Sequence, residues 1–328
     1  MCRVFSICMC ILLFCVTACS DPQVRKMTEV GYYLDTVITL TAYTNDDRAL
    51  QEALEECGRY ERLLSRTVED SDVWNINHSN GQPTAVSDDT IRILREAIRI
   101  GDLSAGCFDV TIAPVSSLWD FKSGNGAIPA PEMIAEAVRT VDYRKIQIDG
   151  NLVTVPDGMM IDLGGIAKGY IADRIRDYLA GRGVQHAILS FGGNVIAIGR
   201  KPDGTSWKVG IQDIDDGPGV SMLTTYNNGG SVVTSGIYER GFEKDGIWYH
   251  HILSTENGWP VQNTLASVTV FSDSSMTGDA LATAVFALGA EKGMELIESM
   301  ESVEAIMIQR DRSVLISSGA DDYLKEED

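Results

Sequence analysis

The sequence has little positive charge: its 328 residues include 27 lysine and arginine residues against 47 aspartate and glutamate residues, a formal net charge of −20. Proteins that bind nucleic acids need a basic surface, because much of their affinity comes from displacing counterions from phosphates. The composition therefore excludes a nucleic-acid partner, and it argues against docking on an anionic bilayer by charge alone. An anionic small ligand remains open, but it requires local positive charge from a metal ion, a lysine or a helix N-terminus.

Cysteines and long apolar runs are both scarce beyond the N-terminus. Of the seven cysteines, only Cys57 and Cys107 lie after residue 19. Two cysteines are too few for a disulfide scaffold in a chain of this length, so we expect free thiols, with a mutual disulfide as the alternative in an oxidising compartment. No second run of about twenty apolar residues follows, so we expect no transmembrane helix there.

The first nineteen residues have the pattern of a secretory signal peptide, with Arg3 as their only charge and an apolar run over residues 4–16. The end of this segment, residues 16–19 (VTAC), resembles a bacterial lipobox. That resemblance implies lipidation of Cys19 and a periplasmic or other extracytoplasmic protein, anchored by lipid to the membrane of a bacterium. The alternative is an ordinary signal peptide that is cleaved nearby without lipid.

The remainder of the chain mixes helical and strand patterns without strict β-α-β alternation, internal repeats or a flexible linker. This pattern predicts an α+β (mixed α/β) fold with a single compact domain, with two lobes as an option. The predicted boundaries are a signal peptide over 1–18, a polar tether over 19–30, the domain over 31–320 and a frayed acidic tail over 321–328.

Two pairs of glycines follow strand patterns, at Gly164-Gly165 and Gly192-Gly193. The first pair precedes a predicted helix over 166–181, where free N–H groups at the helix start suit an anion. Lys168 lies in the first turn of that helix, where a cation is disfavoured, so a negative partner is expected beside it. The alternative interpretation is a plain turn with a surface lysine, and for the second pair a bend between strands.

Asp279 and Thr283 are four residues apart in a predicted helix and therefore share one face. A carboxylate and a hydroxyl suit a hard cation such as Mg²⁺, although Asp279 could instead merely favour the helix dipole. His250 and His251 lie in a strand pattern over 247–253 and would point to opposite faces. Only one of them is expected to serve a site, as a general base.

Eight segments, in this order, resemble the ApbE family of FAD:protein FMN transferases over residues 30–317. They are DTVITL (35–40), SAGCFDVTIAPVSSLWDF (104–121), IDLGGIAKGYIAD (161–173), LSFGGNVIAIG (189–199), VVTSGIYER (232–240), YHHIL (249–253), SVTVF (267–271) and GDALATAVFALG (278–289). The resemblance implies cleavage of the FAD diphosphate with Mg²⁺ and transfer of FMN to a Thr or Ser of an extracytoplasmic flavoprotein, with release of AMP. Acceptors of the family include subunits of redox complexes with a short Ser/Thr motif.

The resemblance also implies roles for particular residues. Asp279 and Thr283 match the side-chain metal ligands, and the carbonyl of Gly165 completes that set. His251 matches the histidine that deprotonates the acceptor hydroxyl. The positions that match FAD contacts are Asp162 and Lys168, the backbone around Phe108, Asp109 and Val110, and the backbone around Ile252 and Leu253.

Two positions depart from the family pattern. Many members have Met-Gly-Thr where this chain has Leu34-Asp35-Thr36, so Leu34 keeps only an apolar contact with the flavin. Some relatives have a tyrosine at the position of Thr67, where an aromatic ring would cover bound FAD. With Thr67 the site is expected to be more open, which predicts hydrolysis of FAD to FMN and AMP without an acceptor. The competing hypotheses are a flavin-storage lipoprotein without transfer activity and a solute-binding lipoprotein of a transporter.

Overall fold

The computed structural model describes residues 24–121, 126–216 and 219–326. Cys19 and the predicted signal peptide lie outside these ranges. Within them, no helix is long and apolar enough to cross a membrane.

The strands in these ranges are β1 (Arg25–Tyr33), β2 (Thr36–Thr44), β3 (Thr84–Ala85), β4 (Gln147–Asp149), β5 (Leu152–Thr154), β6 (Ala187–Phe191), β7 (Asn194–Ile198), β8 (Trp207–Gln212), β9 (Ser221–Asn227), β10 (Gly230–Gly236), β11 (Gly241–Lys244), β12 (Ile247–His250), β13 (Leu265–Ser272), β14 (Val303–Gln309) and β15 (Val314–Ile316). The helices are α1 (Ala49–Leu64), α2 (Asp72–Asn77), α3 (Asp88–Leu103), α4 (Ala113–Ser116), α5 (Pro131–Val138), α6 (Ala167–Gly181), α7 (Ser275–Leu288) and α8 (Ala290–Glu298). Two 3₁₀ turns cover Tyr143–Lys145 and Ala320–Leu324.

Eight strands form one antiparallel sheet in the order β1-β2-β6-β7-β10-β13-β14-β15. Helices α1, α3, α6 and α7 contribute to the main core on one face of this sheet. The β8–β9 hairpin and the C-terminal 3₁₀ turn pack on the other face. All eight residues of β13 are buried, because this central strand is covered on both sides.

Local sequence explains where several helices begin. Ser87 caps α3 with a side-chain oxygen that accepts the N–H of Thr90, and Ser274 does the same for α7 through Thr277. Leu50, Leu54 and Cys57 recur at helical spacing in α1, and all three are buried against the sheet. The mixed α/β fold class predicted from these patterns is confirmed.

Two predicted boundaries differ from the structure. β1 begins at Arg25, inside the segment predicted as a tether, because Arg25–Tyr33 pairs along its whole length with β2. The acidic tail is docked rather than frayed as far as residue 326, since the Tyr323 ring stacks on Phe271 with ring centroids 4.1 Å apart. Cys57 and Cys107 are both free, so the alternative of a disulfide between them was wrong.

Candidate active site

Asp162, in the loop before α6, joins the segment 161–173 to the segment 104–121 and to the loop after α1. Its N–H donates to the carbonyl of Val110 at 2.7 Å, and its Oδ1 accepts the N–H of Gly164 at 2.9 Å. Its Oδ2 lies 3.3 Å from Nε of Arg66. The strand expected before the glycines is reduced to a single bridge between Ile112 and Met160, which leaves this loop irregular and open to a ligand.

The negative partner expected for Lys168 is Asp279. Asp279 is only 2% exposed, and its Oδ1 lies 3.4 Å from Nζ of Lys168. Its Oδ2 accepts the N–H of Gly169 at 2.9 Å. The N-terminal parts of α6 and α7 therefore meet at the carboxylate of Asp279. A buried carboxylate needs a neighbouring cation to balance its charge.

Further oxygen atoms come together at Thr283, one helical turn after Asp279 in α7. Oγ1 of Thr283 lies 3.4 Å from Oγ of Ser235, and a Cβ placed on Gly165 would lie 3.7 Å from the same Oγ1. Gly165 thus lets the loop backbone approach Thr283. No group of three or more His, Cys, Asp or Glu side chains forms a metal cluster within the described ranges. One carboxylate with hydroxyl and carbonyl oxygens fits Mg²⁺, which binds few protein ligands and keeps positions for phosphate and water.

The second glycine pair lies against this site, so it is more than a bend between strands. A Cβ on Gly193 would lie 2.8 Å from Oε1 of Glu239, and a Cβ on Gly192 would lie 2.7 Å from Oγ1 of Thr36. Glu239 lines a surface cleft together with Tyr32, Arg240 and Trp248. Desolvation by the walls of the cleft raises the pKa of Glu239, with a further rise from Asp279, while Lys168 opposes it.

The two adjacent histidines have different surroundings. His250 is fully buried, with Nε2 3.0 Å from the carbonyl of Val261 and Nδ1 accepting the N–H of Ile252 at 3.3 Å. Both of its ring nitrogens are therefore occupied. β12 ends at His250, so the two residues do not alternate along one strand as predicted. His251 is half-buried, and its Nδ1 lies 3.2 Å from the carbonyl of Arg240.

That contact determines which nitrogen of His251 is basic. A carbonyl only accepts hydrogen bonds, so Nδ1 carries the proton and Nε2 keeps its lone pair. In the part of the chain that the structure describes, Nε2 has no hydrogen-bond partner. Desolvation lowers the pKa of His251 to about 3, with Arg240, His250 and Lys168 adding to this effect, so the ring is neutral near pH 7. The lone pair on Nε2 can accept a proton from a hydroxyl, and the lowered pKa makes this ring a weaker base than an ordinary imidazole.

Burial of His250 makes the fold sensitive to acid. Desolvation lowers its pKa from 6.5 to about 4. At pH values between these two pKa values, the histidine is protonated in the unfolded chain but not in the folded chain. The free energy of unfolding therefore falls as the pH falls. Between pH 7 and pH 5 we expect His250 alone to remove about 2 kcal/mol from the free energy of unfolding. Urea unfolding of the wild type and of His250→Gln at both pH values checks this, and an equal loss in the two proteins would contradict it.

The remaining predicted residues surround these groups or lie behind them. Phe108 contacts the loop, because a Cβ on Gly165 would lie 3.2 Å from its ring. The carboxylate of Asp109 is turned inwards and accepts hydrogen bonds from Thr111 and from the N–H of Tyr143. Ile252 and Leu253 are buried in the core. The side chains of Asp109, Ile252 and Leu253 are thus turned away from a ligand, and the backbone N–H and carbonyl of Ile252 are already bonded to His250 and Val261.

The two positions that depart from the family pattern are both in loops. Leu34 and Asp35 form the β1–β2 turn with φ values of 56° and 58°, a left-handed geometry that glycine adopts without strain. The N–H of Leu34 donates to Oε1 of Glu61 at 2.8 Å, which ties the turn to α1. Thr67 is exposed in the loop after α1, next to Arg66.

Sequence reasoning missed three residues of this site. Arg66 pairs with Asp162 and also donates to Oγ of Ser117 at 2.6 Å. Ser235 and Glu239 belong to the segment 232–240, but no spacing rule linked them to residues 165 or 279. Their position depends on strand pairing, so no local pattern could have identified them.

The close approach of α6 and α7 depends on Gly169. A Cβ at this position would lie 2.1 Å from the carbonyl oxygen of Ser275, which is backbone and cannot rotate away. We expect Gly169→Ala to lower the free energy of unfolding by about 3 kcal/mol or more. Gly181→Ala in the same helix meets no atom within 4 Å and should be neutral or slightly stabilising. Thermal unfolding of both variants checks this, and equal melting temperatures would refute it.

The chain is similar in sequence to proteins of one family. The ApbE family model matches residues 34–307. The chain is 36% identical over 305 residues to a Klebsiella pneumoniae protein named FAD:protein FMN transferase, covering 91% of this chain and 93% of that protein. A Treponema pallidum protein of the same name is 32% identical over 325 residues, covering 92% and 90%.

Solved structures show the same fold. The ApbE protein of Thermotoga maritima superposes with a TM-score of 0.85 at 29% identity, and the flavin transferase ApbE of Vibrio cholerae with 0.83 at 27%. Each comparison covers 92% of this chain and 100% of the other. The fold is thus that of the flavin transferases. This chain belongs to the ApbE family, which confirms the resemblance found in its motifs.

Proposed function

We propose that this protein is a Mg²⁺-dependent FAD:protein FMN transferase. It cleaves the diphosphate of FAD, attaches FMN through a phosphoester bond to a Thr or Ser of a partner flavoprotein, and releases AMP. The proposal rests on the observation that Lys168 lies close to Asp279, and Gly165 close to Thr283, one helical turn further along α7. This group of cation and oxygen ligands suits a diphosphate and the metal ion that accompanies it.

Each residue has a chemical task in this proposal. Asp279, Thr283 and the carbonyl of Gly165 would hold Mg²⁺, which when bound neutralises charge on the diphosphate. Lys168 supplies a further positive charge, as the strongly acidic chain requires. Asp162 and the backbone of Phe108, Asp109 and Val110 orient FAD.

In the transfer, one phosphorus–oxygen bond forms while another breaks. The acceptor oxygen forms a bond to the FMN phosphorus while the bond from that phosphorus to the AMP oxygen breaks. The hydroxyl proton moves to Nε2 of His251, and AMP leaves with the bonding electron pair. Water can replace the protein hydroxyl in the same step. We therefore include acceptor-independent hydrolysis of FAD in the proposal, because Thr67 is too small to cover the ligand.

The decisive experiment incubates the purified domain, residues 24–328, with FAD and Mg²⁺, and follows AMP by chromatography. Parallel incubations add candidate acceptors, and mass spectrometry detects the mass of one FMN on a Thr or Ser. AMP release that depends on Mg²⁺, together with a labelled acceptor, supports the proposal. Intact yellow FAD bound stoichiometrically after long incubation would instead support the flavin-storage alternative.

We also propose that the protein acts outside the cytoplasm, anchored to the membrane by lipid on Cys19. The lipobox-like residues 16–19 support this location, and the acceptors are then extracytoplasmic flavoproteins. In a bacterial host, the wild type should fractionate with membranes and incorporate labelled palmitate, while Cys19→Ser should do neither. Membrane-bound, labelled Cys19→Ser would contradict lipidation at this residue.

A further inference from the structure

An exposed apolar surface lies on the outer face of the β1–β2 hairpin. Tyr32 pairs with Val37 in the strand register, and Val30 lies two residues before Tyr32, so all three point to one face. Their exposed fractions are 59% for Val30, 69% for Tyr32 and 54% for Val37. Trp248 of β12, 37% exposed, lines the same cleft as Tyr32. We call these four residues the apolar rim.

Nothing in the described ranges of the chain covers this surface. β1 is the edge strand of the large sheet, and its apolar side chains on this face add nothing to the core. Isolated exposed apolar residues are common, but a contiguous group marks a binding surface. Exposed apolar residues on an edge strand also invite pairing with another chain, so their presence here needs a reason.

Trp248 is held as a rigid contact. Its Nε1–H donates to the carbonyl of Ile237 at 2.9 Å. Its ring lies directly against Gly241, where an added Cβ would be 2.7 Å from the ring. An aromatic ring that is fixed before binding loses little entropy when a ligand covers it.

The apolar rim leads to the candidate base. The cleft that Tyr32 and Trp248 line has a volume of about 390 Å³, and Glu239 and Arg240 also line it. The carbonyl of Arg240 is the group that orients His251. A chain bound on the rim would therefore reach the cleft beside Arg240, the residue whose carbonyl contacts Nδ1 of the proposed base.

We propose that the apolar rim binds the segment of the acceptor protein that carries the Thr or Ser, and that it recognises apolar side chains next to this hydroxyl. The inference rests on the proposed function. None of the four rim residues is among those that the family resemblance assigns to FAD. A second copy of this chain is a poorer occupant, because it would close the mouth of the cleft to any acceptor.

Two synthetic peptides test the proposal, each with one central Thr and a fluorescent label. One has Val, Leu and Tyr beside the Thr, and the other has Ser, Asp and Gln. Fluorescence anisotropy with the full domain, residues 24–328, should show at least about tenfold tighter binding of the apolar peptide. The double variant Val30→Ser/Tyr32→Ser should lose this preference. Val314→Ser/Ile316→Ser is the matched control, because it removes two exposed apolar residues from the opposite edge strand, and it should keep the preference.

Three results would overturn the inference: equal binding of the two peptides by the wild type, a preference that survives in the rim variant, or weaker FAD binding in that variant. The last would assign the rim to the flavin. A wild-type dimer that dissociates in the rim variant, with the peptide preference unchanged, would assign the rim to self-association. Peptide binding is measured without FAD or Mg²⁺, so its failure is distinct from a failure of the proposed function, which FAD cleavage reports.

Discussion

Asp279→Asn is expected to abolish Mg²⁺-dependent cleavage of FAD and labelling of the acceptor while leaving the fold intact. Asparagine keeps an oxygen that can accept the N–H of Gly169, now 2.9 Å from Oδ2, so α6 and α7 should stay packed. It removes the buried negative charge that pairs with Lys168. Since loss of groups that merely support a metal ligand costs about 10- to 100-fold, we expect loss of the ligand itself to cost on the order of 100-fold or more in kcat/KM.

The control for this variant is Asp177→Asn, because Asp177 is a half-exposed carboxylate of α6 that pairs with Arg174 and Arg176 in the same helix. It should retain wild-type activity. Calorimetric titration with Mg²⁺ should show weaker binding in Asp279→Asn alone. Normal labelling and normal Mg²⁺ affinity in Asp279→Asn would show that the metal assignment is wrong.

His251→Asn is expected to lower the rate of FMN transfer by about 10²- to 10⁴-fold, the usual contribution of a general base. The asparagine amide can take the place of Nδ1 and donate to the carbonyl of Arg240, which His251 now approaches at 3.2 Å. The variant therefore preserves the local backbone and removes only Nε2. FAD affinity should be unchanged, so the loss should fall on kcat rather than on KM for FAD.

The pH profile gives a second readout for His251. With a pKa of about 3, the ring stays neutral from pH 7 down to pH 5, so kcat/KM for the acceptor should be nearly constant over that range. If the imidazole had an ordinary pKa, kcat/KM for the acceptor would instead fall about 25-fold between pH 7 and pH 5, because most of the ring would become protonated. His78→Asn is the matched control, since His78 stacks on Trp74 at the surface. Full transfer activity in His251→Asn would exclude this residue as the base.

The sequence predicted the elements whose burial pattern is local. The α3 helix, with its Ser87 cap and regular apolar face, was predicted over 88–104 and ends at Leu103. The polar composition of residues 20–30 predicts a tether there, and this assignment includes the first six residues of β1. Its strand conformation comes from pairing with β2, which no alternation within β1 reveals. The docked tail was missed for a similar reason, since only the surface of Phe271 explains why Tyr323 is ordered.

The candidate site also has some features that the local sequence encodes and others that depend on tertiary packing. The sequence by itself determined the family, the shared helical face of Asp279 and Thr283, and the glycine turn before Lys168, because each is encoded by residues within a few positions of one another. Only the tertiary structure decided that Lys168 faces Asp279 across 111 positions, and that Arg66 lies beside Asp162. It also decided that His250 is buried against Phe286, while Nδ1 of His251 lies against the carbonyl of Arg240. These relations arise where α6, α7 and the strand ends pack together, and packing between distant segments leaves no periodic trace in a single chain.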